Sequence, residues 1–406
     1  MSVNDGGVTY GCTDALEDRA YGISYAGRDL ARLLMKGGSL PSKYTIAGQN
    51  YRVTGISGVS ADGSTNNQSA LEDAVSASRN GEPTLLVLPP AEDYYRYSNH
   101  LELSENTYLV GYGAKVKPLA VDETKFDVNN DSGIIGLTMH SLYGAMSRWP
   151  ERFEANNTVE GAKDGSIAIA ADDSNDAAWV TMFLKTNCIM FDVATTGSLS
   201  GALRCDSSNV IVENCSAVRT HSDSFHFFKG ASNCTARRNR IYNAGDDAIS
   251  VVQYVDSPGG AIPSNILIEE NLVKGGRARG LTVVSGQDIL YRRNVVEDIT
   301  LAGYRFGPTK AHSLNDTARI KVQDCQAWRC GRMQANHPNS GSFAALLSTT
   351  QYRCLDVAFA NCVGYSYGDD QYANGDFVRV ANSFGDGGLT YETDGVSGIV
   401  KIDHTQ

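Results

Sequence analysis

The chain has 406 residues and a formal charge of −11, from 35 Lys and Arg against 46 Asp and Glu. Its 42% of hydrophobic residues can fill a large core, which excludes a disordered chain. The acidic balance disfavours binding to duplex nucleic acid, because phosphates need a basic face. Neither an apolar run long enough to cross a membrane nor a secretory signal is visible. The composition therefore predicts a soluble protein.

The first 80 residues contain two predicted helices. Residues 1–45 lack the repeated strand pattern of the rest of the chain. We interpret them as a small N-terminal adaptor segment with a short helix at 27–36. Residues 66–81 carry one apolar stripe that includes Leu71 and Val75, with Asn residues at the start and Asn-Gly at the end. This second helix is predicted to cap the end of the following domain, which opens with a strand at 84–90.

Internal repeats dominate the rest of the chain. Six segments share a polar start, alternating apolar residues and a closing Asn or Cys, namely 208–215, 232–239, 264–271, 287–294, 318–325 and 355–362. A looser copy ends at Cys188, and the closing residues recur at separations of 23 residues or more. The strict alternation of apolar and polar residues within each copy indicates a strand. A fixed minimum separation between copies, with a variable number of extra residues, indicates a solenoid with loops inserted on one side.

The repeats predict an all-β parallel β-helix for 46–385, followed by a C-terminal strand or tail at 386–406. Strands of successive coils would stack in parallel about 4.8 Å apart. An Asn repeated at one corner can then hydrogen-bond up and down the stack, and Cys fills the same small buried position. A β-sandwich is the rival architecture, but it would show regular hairpin turns that this sequence lacks.

The nine cysteines support this arrangement rather than a disulfide framework or a zinc site. They are scattered, odd in number and without a CxxC pair, at positions 12, 188, 205, 215, 234, 325, 330, 354 and 362. We expect buried, reduced thiols that act as small hydrophobic residues.

Residues 61–118 resemble the opening of pectate-lyase-like right-handed parallel β-helix proteins, a group that includes phage tailspike depolymerases. The resemblance rests on Asp62-Gly63, the predicted helix, the strand ending Leu88-Pro89-Pro90 and the segment 105–114. It implies a right-handed solenoid with an N-terminal capping helix. In that group rods associate as homotrimers on virion tails, so the resemblance also implies a homotrimer acting outside the cell; a secreted enzyme is the alternative.

Aligning the strands that follow the corners brings charged residues together. Asp223, Asp247, Arg279 and Ala302 form one predicted column, and His226, Ser250, Thr282 and Arg305 form a second. Two carboxylates one coil apart repel, so one pKa should rise, as general acid and base chemistry requires. Paired carboxylates also suit glycoside hydrolysis, in which one protonates the leaving oxygen and another activates water.

The same residues resemble the motifs of polygalacturonase-type glycoside hydrolases. His221-Ser222-Asp223 and Gly245-Asp246-Asp247 take the places of that family's "NTD" and "GDD" motifs one coil apart. The resemblance implies that Asp246 is the general acid and that Asp223 and Asp247 hold the nucleophilic water, with no cofactor or metal. The family's "GHG" and "RIK" motifs are replaced by Ala278-Arg279-Gly280 and Arg305-Phe306-Gly307, which puts galacturonan as the substrate in doubt.

Four further residues are predicted to bind substrate, namely Arg279, Arg305, His226 and Tyr304. Each has a structural alternative: Arg279 can form a cross-strand ion pair with Asp247, and His226 can be a packed, hydrogen-bonded residue. Other tyrosines are candidates for a groove wall or for stacking inside the solenoid, namely Tyr242, Tyr254, Tyr291, Tyr365, Tyr367 and Tyr372.

Two other functions stay open at this stage. A polysaccharide lyase would use Arg279 or His226 to abstract the proton next to a uronate carboxyl, with Asp residues holding Ca²⁺. A glycan-binding spike would use the same groove without catalysis. The segment 119–175, with Trp149, Glu151 and Glu154, is interpreted only as a possible cover of the groove.

Overall fold

A computed structural model describes most of the chain. The described residues are 2–78, 81–119, 126–140, 181–198, 201–220, 222–254, 261–308, 315–331, 341–348, 352–365, 378–382, 389–393 and 400–404. Trp149, Glu151, Glu154, Tyr367 and Tyr372 lie outside these ranges. No helix among the described residues is long and apolar enough to span a membrane.

The body of the protein is a solenoid in which each coil adds one strand to each of three sheets. Sheet 1 contains Gln49–Gly55, Thr84–Val87, Thr107–Val110, Gly133–Ile135, Ile189–Phe191, Ile211–Glu213, Thr235–Arg237, Ser264–Glu269, Gln287–Arg292, Thr317–Gln323 and Cys354–Ala360. Sheet 2 contains Tyr94–Tyr97, Lys115–Pro118, Thr138–His140, Ala194–Thr196, Ser216–Val218, Arg240–Ala244, Leu272–Gly276, Val295–Ile299, Gln326–Trp328 and Val363–Tyr365. Sheet 3 contains Leu101–Leu103, Phe126–Val128, Met182–Leu184, Leu203–Cys205, Phe225–Phe228, Ile249–Val252, Arg279–Val284, Ala302–Phe306, Gly341–Ser348 and Val378–Asn382.

All of these neighbouring strands pair in parallel, so the predicted parallel β-helix is confirmed. Alternate side chains of each strand point into the solenoid and form one continuous apolar core. Sheet 1 closes with antiparallel strands at both ends. Lys43–Ile46 pairs with Gln49–Gly55 at the start, and Val400–His404 and Leu389–Thr393 are added after Cys354–Ala360.

The predicted capping helix is helix α2, Gln68–Ala77. Leu71 and Val75 are buried in the solenoid core, and Asn66 accepts a hydrogen bond from the backbone N–H of Gln68 (3.1 Å). The helix therefore covers the open end of the core, as the amphipathic pattern indicated.

A ladder of corner side chains runs along the stack between sheets 1 and 2. Asn239 Nδ2 donates to Asn271 Oδ1, and Asn271 Nδ2 donates to Asn294 Oδ1, both at 3.0 Å. Cys215 and Cys325 occupy the same position in the coils before and after the three asparagines. The expected exchange of Asn and Cys at one buried corner is thus observed.

The looser repeat that ends at Cys188 was placed wrongly by the sequence alignment. Its strand, Met182–Leu184, belongs to sheet 3, whereas the other six copies lie in sheet 1. The corner position of that coil is held by Val193, whose N–H lies 3.5 Å from the Cys215 sulfur, 22 residues away. The alignment failed because alternating apolar residues occur in all three sheets and do not distinguish them.

The first helix, α1, is Asp14–Met35, which is longer than the predicted helix at 27–36. Thr13 caps it, and its buried stripe, which includes Leu16, Ile23 and Leu30, packs on the outer face of sheet 1. Gly22 permits a close approach, because a Cβ there would lie 2.3 Å from the Ile46 side chain. The preceding hairpin, Val3–Asp5 and Val8–Tyr10, also contacts sheet 1, farther along the solenoid.

All nine cysteines are free, and eight of them are buried. Burial raises the pKa of thiols such as Cys12, Cys188 and Cys215, so they remain neutral. The expectation of reduced, packed thiols agrees with this placement.

Candidate active site

The second predicted column follows the strands of sheet 3 in register, and the first lies at the starts of the same strands. His226 pairs with Ser250, Ser250 with Thr282, and Thr282 with Arg305 on successive strands. Asp223 and Asp247 each lie two residues before the paired Phe225 and Ile249, and they therefore occupy neighbouring coils. The N–H of Asp247 donates to Asp223 Oδ1 at 3.0 Å, which fixes this relationship.

Three carboxylates converge at this point. One oxygen from each of Asp223, Asp246 and Asp247 lies within 4.8 Å of the other two. Their side chains differ in exposure, at 13% for Asp223, 40% for Asp246 and 6% for Asp247. The cluster thus combines one accessible carboxyl, one that is largely shielded and one that is buried.

Asp223 is held as an anion by hydrogen bonds to both of its oxygens. Oδ2 lies 2.5 Å from His226 Nδ1 and accepts a hydrogen bond from Ser250 Oγ at 2.7 Å. Burial favours the neutral form, but the hydrogen bonds and charge of His226, with the donors Ser250 and Asp247 N–H, lower the pKa of Asp223 to about 2. Asp223 is therefore ionised over the whole physiological range.

Asp247 is the opposite case. Its burial raises the pKa of the carboxyl well above the usual range, and the negative charges of Asp246 and Asp223 act in the same direction, against the opposing effect of Arg279. The cluster therefore retains a proton at pH values where ordinary carboxyls have lost theirs. The repulsion between stacked carboxylates that the sequence suggested contributes to this pKa, but burial is the larger cause.

Arg279 links the two carboxyls of the Asp246-Asp247 pair. Its Nη1 donates to Asp246 Oδ1 at 3.1 Å and lies 3.1 Å from Asp247 Oδ1. Burial disfavours the charged form, but the neighbouring carboxylates raise the pKa of Arg279, so it stays protonated. The cross-strand ion pair anticipated as one alternative for Arg279 is present, and 16% of the side chain is exposed.

His226 is packed rather than open to a ligand. The residue is 2% exposed, its ring stacks on Tyr254 with centroids 5.6 Å apart, and Nε2 lies 3.2 Å from the Tyr254 hydroxyl. Nδ1 is thus engaged by Asp223 and Nε2 by Tyr254. The predicted substrate contact of His226 is not supported, because both ring nitrogens are already bonded within the protein.

Tyr304 and Arg305 are also placed differently from the prediction. Both are fully buried, and Tyr304 lies inside the solenoid core, where its hydroxyl donates to the carbonyl of Asn294 at 3.1 Å. Arg305 is on the outer face of sheet 3 but donates to the carbonyls of Val283 (3.3 Å) and Pro308 (3.0 Å). Neither residue presents surface to a substrate.

The sequence did not assign Tyr254 to this cluster, although it named the residue as part of a groove wall. Tyr254 follows the strand Ile249–Val252 in an irregular segment, where strand register no longer predicts what a side chain contacts. Ser250 was placed in the column correctly, and the structure adds its hydrogen bond to Asp223.

The oxygens of the three carboxylates lie close enough together to hold a metal ion. Calcium would need six to eight oxygen ligands, and both oxygens of Asp223 already accept hydrogen bonds within the protein. Arg279 supplies a positive charge to Asp246 and Asp247 and offsets part of the negative charge of the cluster.

Comparisons with known proteins agree with the architecture. A family model described as a right handed beta helix region matches residues 154–325. An iota-carrageenase of family GH82 from A. fortis superposes with a TM-score of 0.53 and 12% identity, over 89% of this chain and 97% of that one. The ORF18 protein of Geobacillus virus E2 gives a TM-score of 0.51 and 9% identity, over 84% of this chain and 60% of that one.

A polygalacturonase from Erwinia carotovora is similar over 78% of this chain and 94% of that chain, with a TM-score of 0.49 and 14% identity. No curated protein matches the sequence. The chain spans 60% of the length of the Geobacillus virus protein. The protein is a right-handed parallel β-helix, as the resemblance at residues 61–118 implied.

Proposed function

We propose that this protein is a polysaccharide depolymerase that hydrolyses glycosidic bonds at Asp223, Asp246 and Asp247. The observation that carries the proposal is the convergence of three carboxyl oxygens from neighbouring coils within 4.8 Å. The opposite pKa directions of Asp223 and Asp247 make the cluster able to hold a proton and a negative charge together. The iota-carrageenase, a glycan-degrading enzyme with the same fold, supports the class.

In this proposal the proton reaches the leaving oxygen through Asp246. Asp246 is the carboxyl with substantial exposure, and it shares Arg279 Nη1 with the buried Asp247. Asp247, whose pKa is raised, lies beside Asp246 and can supply the proton that Asp246 delivers. The glycosidic C–O bond breaks, its electrons stay on the leaving oxygen, and that oxygen takes the proton.

In this proposal Asp223 assists the attack of water on the sugar. Water adds to the anomeric carbon and loses a proton, which restores the neutral hemiacetal product. Because the pKa of Asp223 is lowered to about 2, this carboxylate acts chiefly as an ionised group that orients water and stabilises positive charge on the sugar ring. The proton lost by the water passes through Asp223 to solvent, and the Asp246-Asp247 pair takes up a proton from solvent before the next turnover.

The lyase alternative fits the geometry less well. A proton-abstracting Arg279 would have to be neutral, yet its neighbouring carboxylates raise its pKa. His226 has both ring nitrogens bonded to Asp223 and Tyr254 and offers no free base. We also propose, from the sequence resemblance, that the rods act as homotrimers at a virion tail or as a secreted enzyme.

The test is digestion of a panel of bacterial capsule and O-antigen polysaccharides, read as new reducing ends. We expect the wild type to degrade at least one polymer and Asp246→Asn to lose at least 100-fold in rate, as removal of a general acid does. Asp18→Asn, the same change on the exposed face of helix α1, is the matched control and should keep full activity. Equal rates for wild type and Asp246→Asn would contradict the assignment.

A further inference from the structure

Basic side chains surround one tyrosine on the outer face of sheet 2, over its first three strands. This basic cluster consists of the partly exposed residues Tyr94, Arg96, Lys115, Lys117 and His140. They alternate along their strands with residues buried in the core, which shows that they point outward. Register places Tyr94 beside Lys115 and Arg96 beside Lys117, about 4.8 Å apart, and the strand that ends at His140 continues both lines.

Contacts to Tyr94 draw the cluster together. Lys117 Nζ lies 5.5 Å from the centre of the Tyr94 ring, and the centre of the His140 ring lies 5.2 Å from it. The five side chains therefore share one small surface.

The basic cluster has no acidic partner in the described part of the chain. There, none of its four basic side chains forms an ion pair, and Lys115 Nζ donates instead to the backbone carbonyl of Glu92 at 2.8 Å. Burial lowers the pKa of His140, and the positive charges of Lys117 and Lys115 act in the same direction. Like charges on neighbouring strands repel each other, so this arrangement lowers the stability of the fold.

The same line of sheet 2 is charged differently farther along the solenoid. Strand register continues from His140 along the sheet to Lys274 and its partner Glu297. Lys274 Nζ lies 3.2 Å from Glu297 Oε2, and Arg329 also pairs with Glu297. Opposite charges alternate there, whereas the basic cluster sets like charges side by side.

The chemistry of the basic cluster suits an anionic sugar polymer. On a chain with a formal charge of −11, cations without acidic partners form a local surface that attracts anions. Lys is depleted at protein interfaces, and the large exposed hydrophobic side chains of the described residues lie on helix α1 and at Val363. A second copy of the chain is therefore a poorer occupant than a polyanion. Tyr94 adds a flat apolar ring with a hydroxyl, which suits the face of a sugar.

We infer that the basic cluster binds a segment of an acidic polysaccharide, apart from the carboxylate cluster at Asp223. The choice of a polysaccharide rests on the proposed function, whereas the preference for an anion rests on the cluster itself. The strand of sheet 2 that leads to Asp223 is Ser216–Val218, two coils after the strand of His140. A polymer held at the basic cluster is thereby kept beside the rod, which raises its effective concentration at the carboxylates.

The first test measures polymer binding by affinity electrophoresis, with Asp246→Asn as the parent protein so that no polymer is digested. The gels contain polygalacturonate, alginate, hyaluronate, neutral dextran or single-stranded DNA. We expect at least one acidic polysaccharide to slow the parent protein, and dextran and DNA to leave its mobility unchanged. Arg96→Gln combined with Lys117→Gln should weaken the binding about 5-fold, the loss of two exposed charge pairs.

Lys274→Gln is the matched control, because Lys274 lies on the same line of sheet 2 but is paired with Glu297. It should bind as the parent does. Equal affinity in the double variant and the parent would overturn the inference, and so would binding of none of the acidic polysaccharides or equally strong binding of DNA. A wild type that binds through the cluster but releases no fragments would contradict the proposed function and support this inference.

Thermal unfolding separates a binding role from a structural one. Lys117→Glu places a carboxylate beside Arg96 and so gives the line the alternating charges found at Lys274 and Glu297. It should raise the Tm by about 1 °C while it weakens binding of the acidic polysaccharide. A lower Tm with unchanged binding would show that Lys117 serves the fold and would overturn the inference.

Discussion

His226 Nδ1 lies 2.5 Å from Asp223 Oδ2, and the ring is fixed from its other side by the hydroxyl of Tyr254. This pair holds the ionised carboxylate of the candidate site in one orientation. His226 is therefore a positioning residue in the proposed mechanism rather than a group that touches the substrate.

Replacing His226 should change the acid limb of the pH profile. The pKa of Asp223 is lowered to about 2, and the contacts with His226 make the largest contribution to this lowering. His226→Ala should therefore raise the pKa of Asp223 towards the usual value near 4. We expect a loss of kcat and an acid limb that moves to higher pH. His226→Asn, which can still donate to Asp223, should restore part of both. A profile unchanged in shape would contradict the positioning role.

The lowered pKa of Asp223 also predicts how the free energy of unfolding depends on pH. A carboxyl with a lowered pKa stabilises the folded state above the unfolded pKa near 4 and loses that contribution as pH falls towards 2. A shift from 3.8 to about 2 corresponds to about 2 kcal/mol of the free energy of unfolding. Urea unfolding between pH 5 and pH 2 should show this loss in the wild type and a smaller one in Asp223→Asn.

Asp247 should show the opposite dependence. A raised pKa means that the folded state binds a proton that the unfolded state releases, so stability falls as pH rises above about 4 until the folded pKa is reached. Asp247→Asn mimics the protonated carboxyl and should remove this fall. The Tm difference between variant and wild type should increase from pH 4 to pH 8; a constant difference would show that Asp247 does not retain the proton.

The asparagine ladder gives a stability prediction with a natural control. Asn271→Ala removes the partner of Asn239 and Asn294 and leaves buried amide groups unpaired, which should cost about 3 kcal/mol. Asn271→Cys should cost less, because Cys occupies this corner in three other coils, at Cys215, Cys325 and Cys362. Asn4→Ala, at an exposed position of the N-terminal hairpin, should be nearly neutral. Equal losses at positions 271 and 4 in urea unfolding would contradict the ladder's role.

Helix α1 is joined to the solenoid by a buried ion pair network at Arg237. Its guanidinium lies 2.7 Å from Glu17 and 2.6 Å from Glu213, and only 5% of the side chain is exposed. Arg237→Met removes the buried guanidinium that Glu17 and Glu213 share and should cost about 3–5 kcal/mol. Arg238→Met, at the adjacent position with half of its side chain exposed, should cost about 1 kcal/mol or less. Thermal unfolding of the two variants tests this difference.

The repeats were readable from sequence because strands of sheet 1 have strict alternation and a closing Asn or Cys. The same regularity predicted that Asp223 and Asp247 would lie on neighbouring coils, since register is preserved from coil to coil. The position of the candidate site therefore follows from the sequence.

The failures occurred where regularity gives no information. The alternation of apolar and polar residues shows which side chains point outward, but not whether other parts of the chain cover them. Arg305 was therefore expected to contact substrate, although it is fully buried. It likewise does not show that Tyr304 points inward among core residues. The extent of helix α1 was missed because Gly22 interrupts its pattern, and the reason for that glycine, the contact with Ile46, lies in another element.

The most direct test of the proposed chemistry is to identify the bond that forms at the cut. Digestion of a susceptible polysaccharide in heavy-oxygen water, followed by mass spectrometry, should place one heavy oxygen at each new reducing end, with Asp246→Asn yielding almost no labelled product. Fragments that carry an unsaturated uronate and no label would contradict hydrolysis, and wild type that binds the polymer but releases no fragment would contradict catalysis altogether.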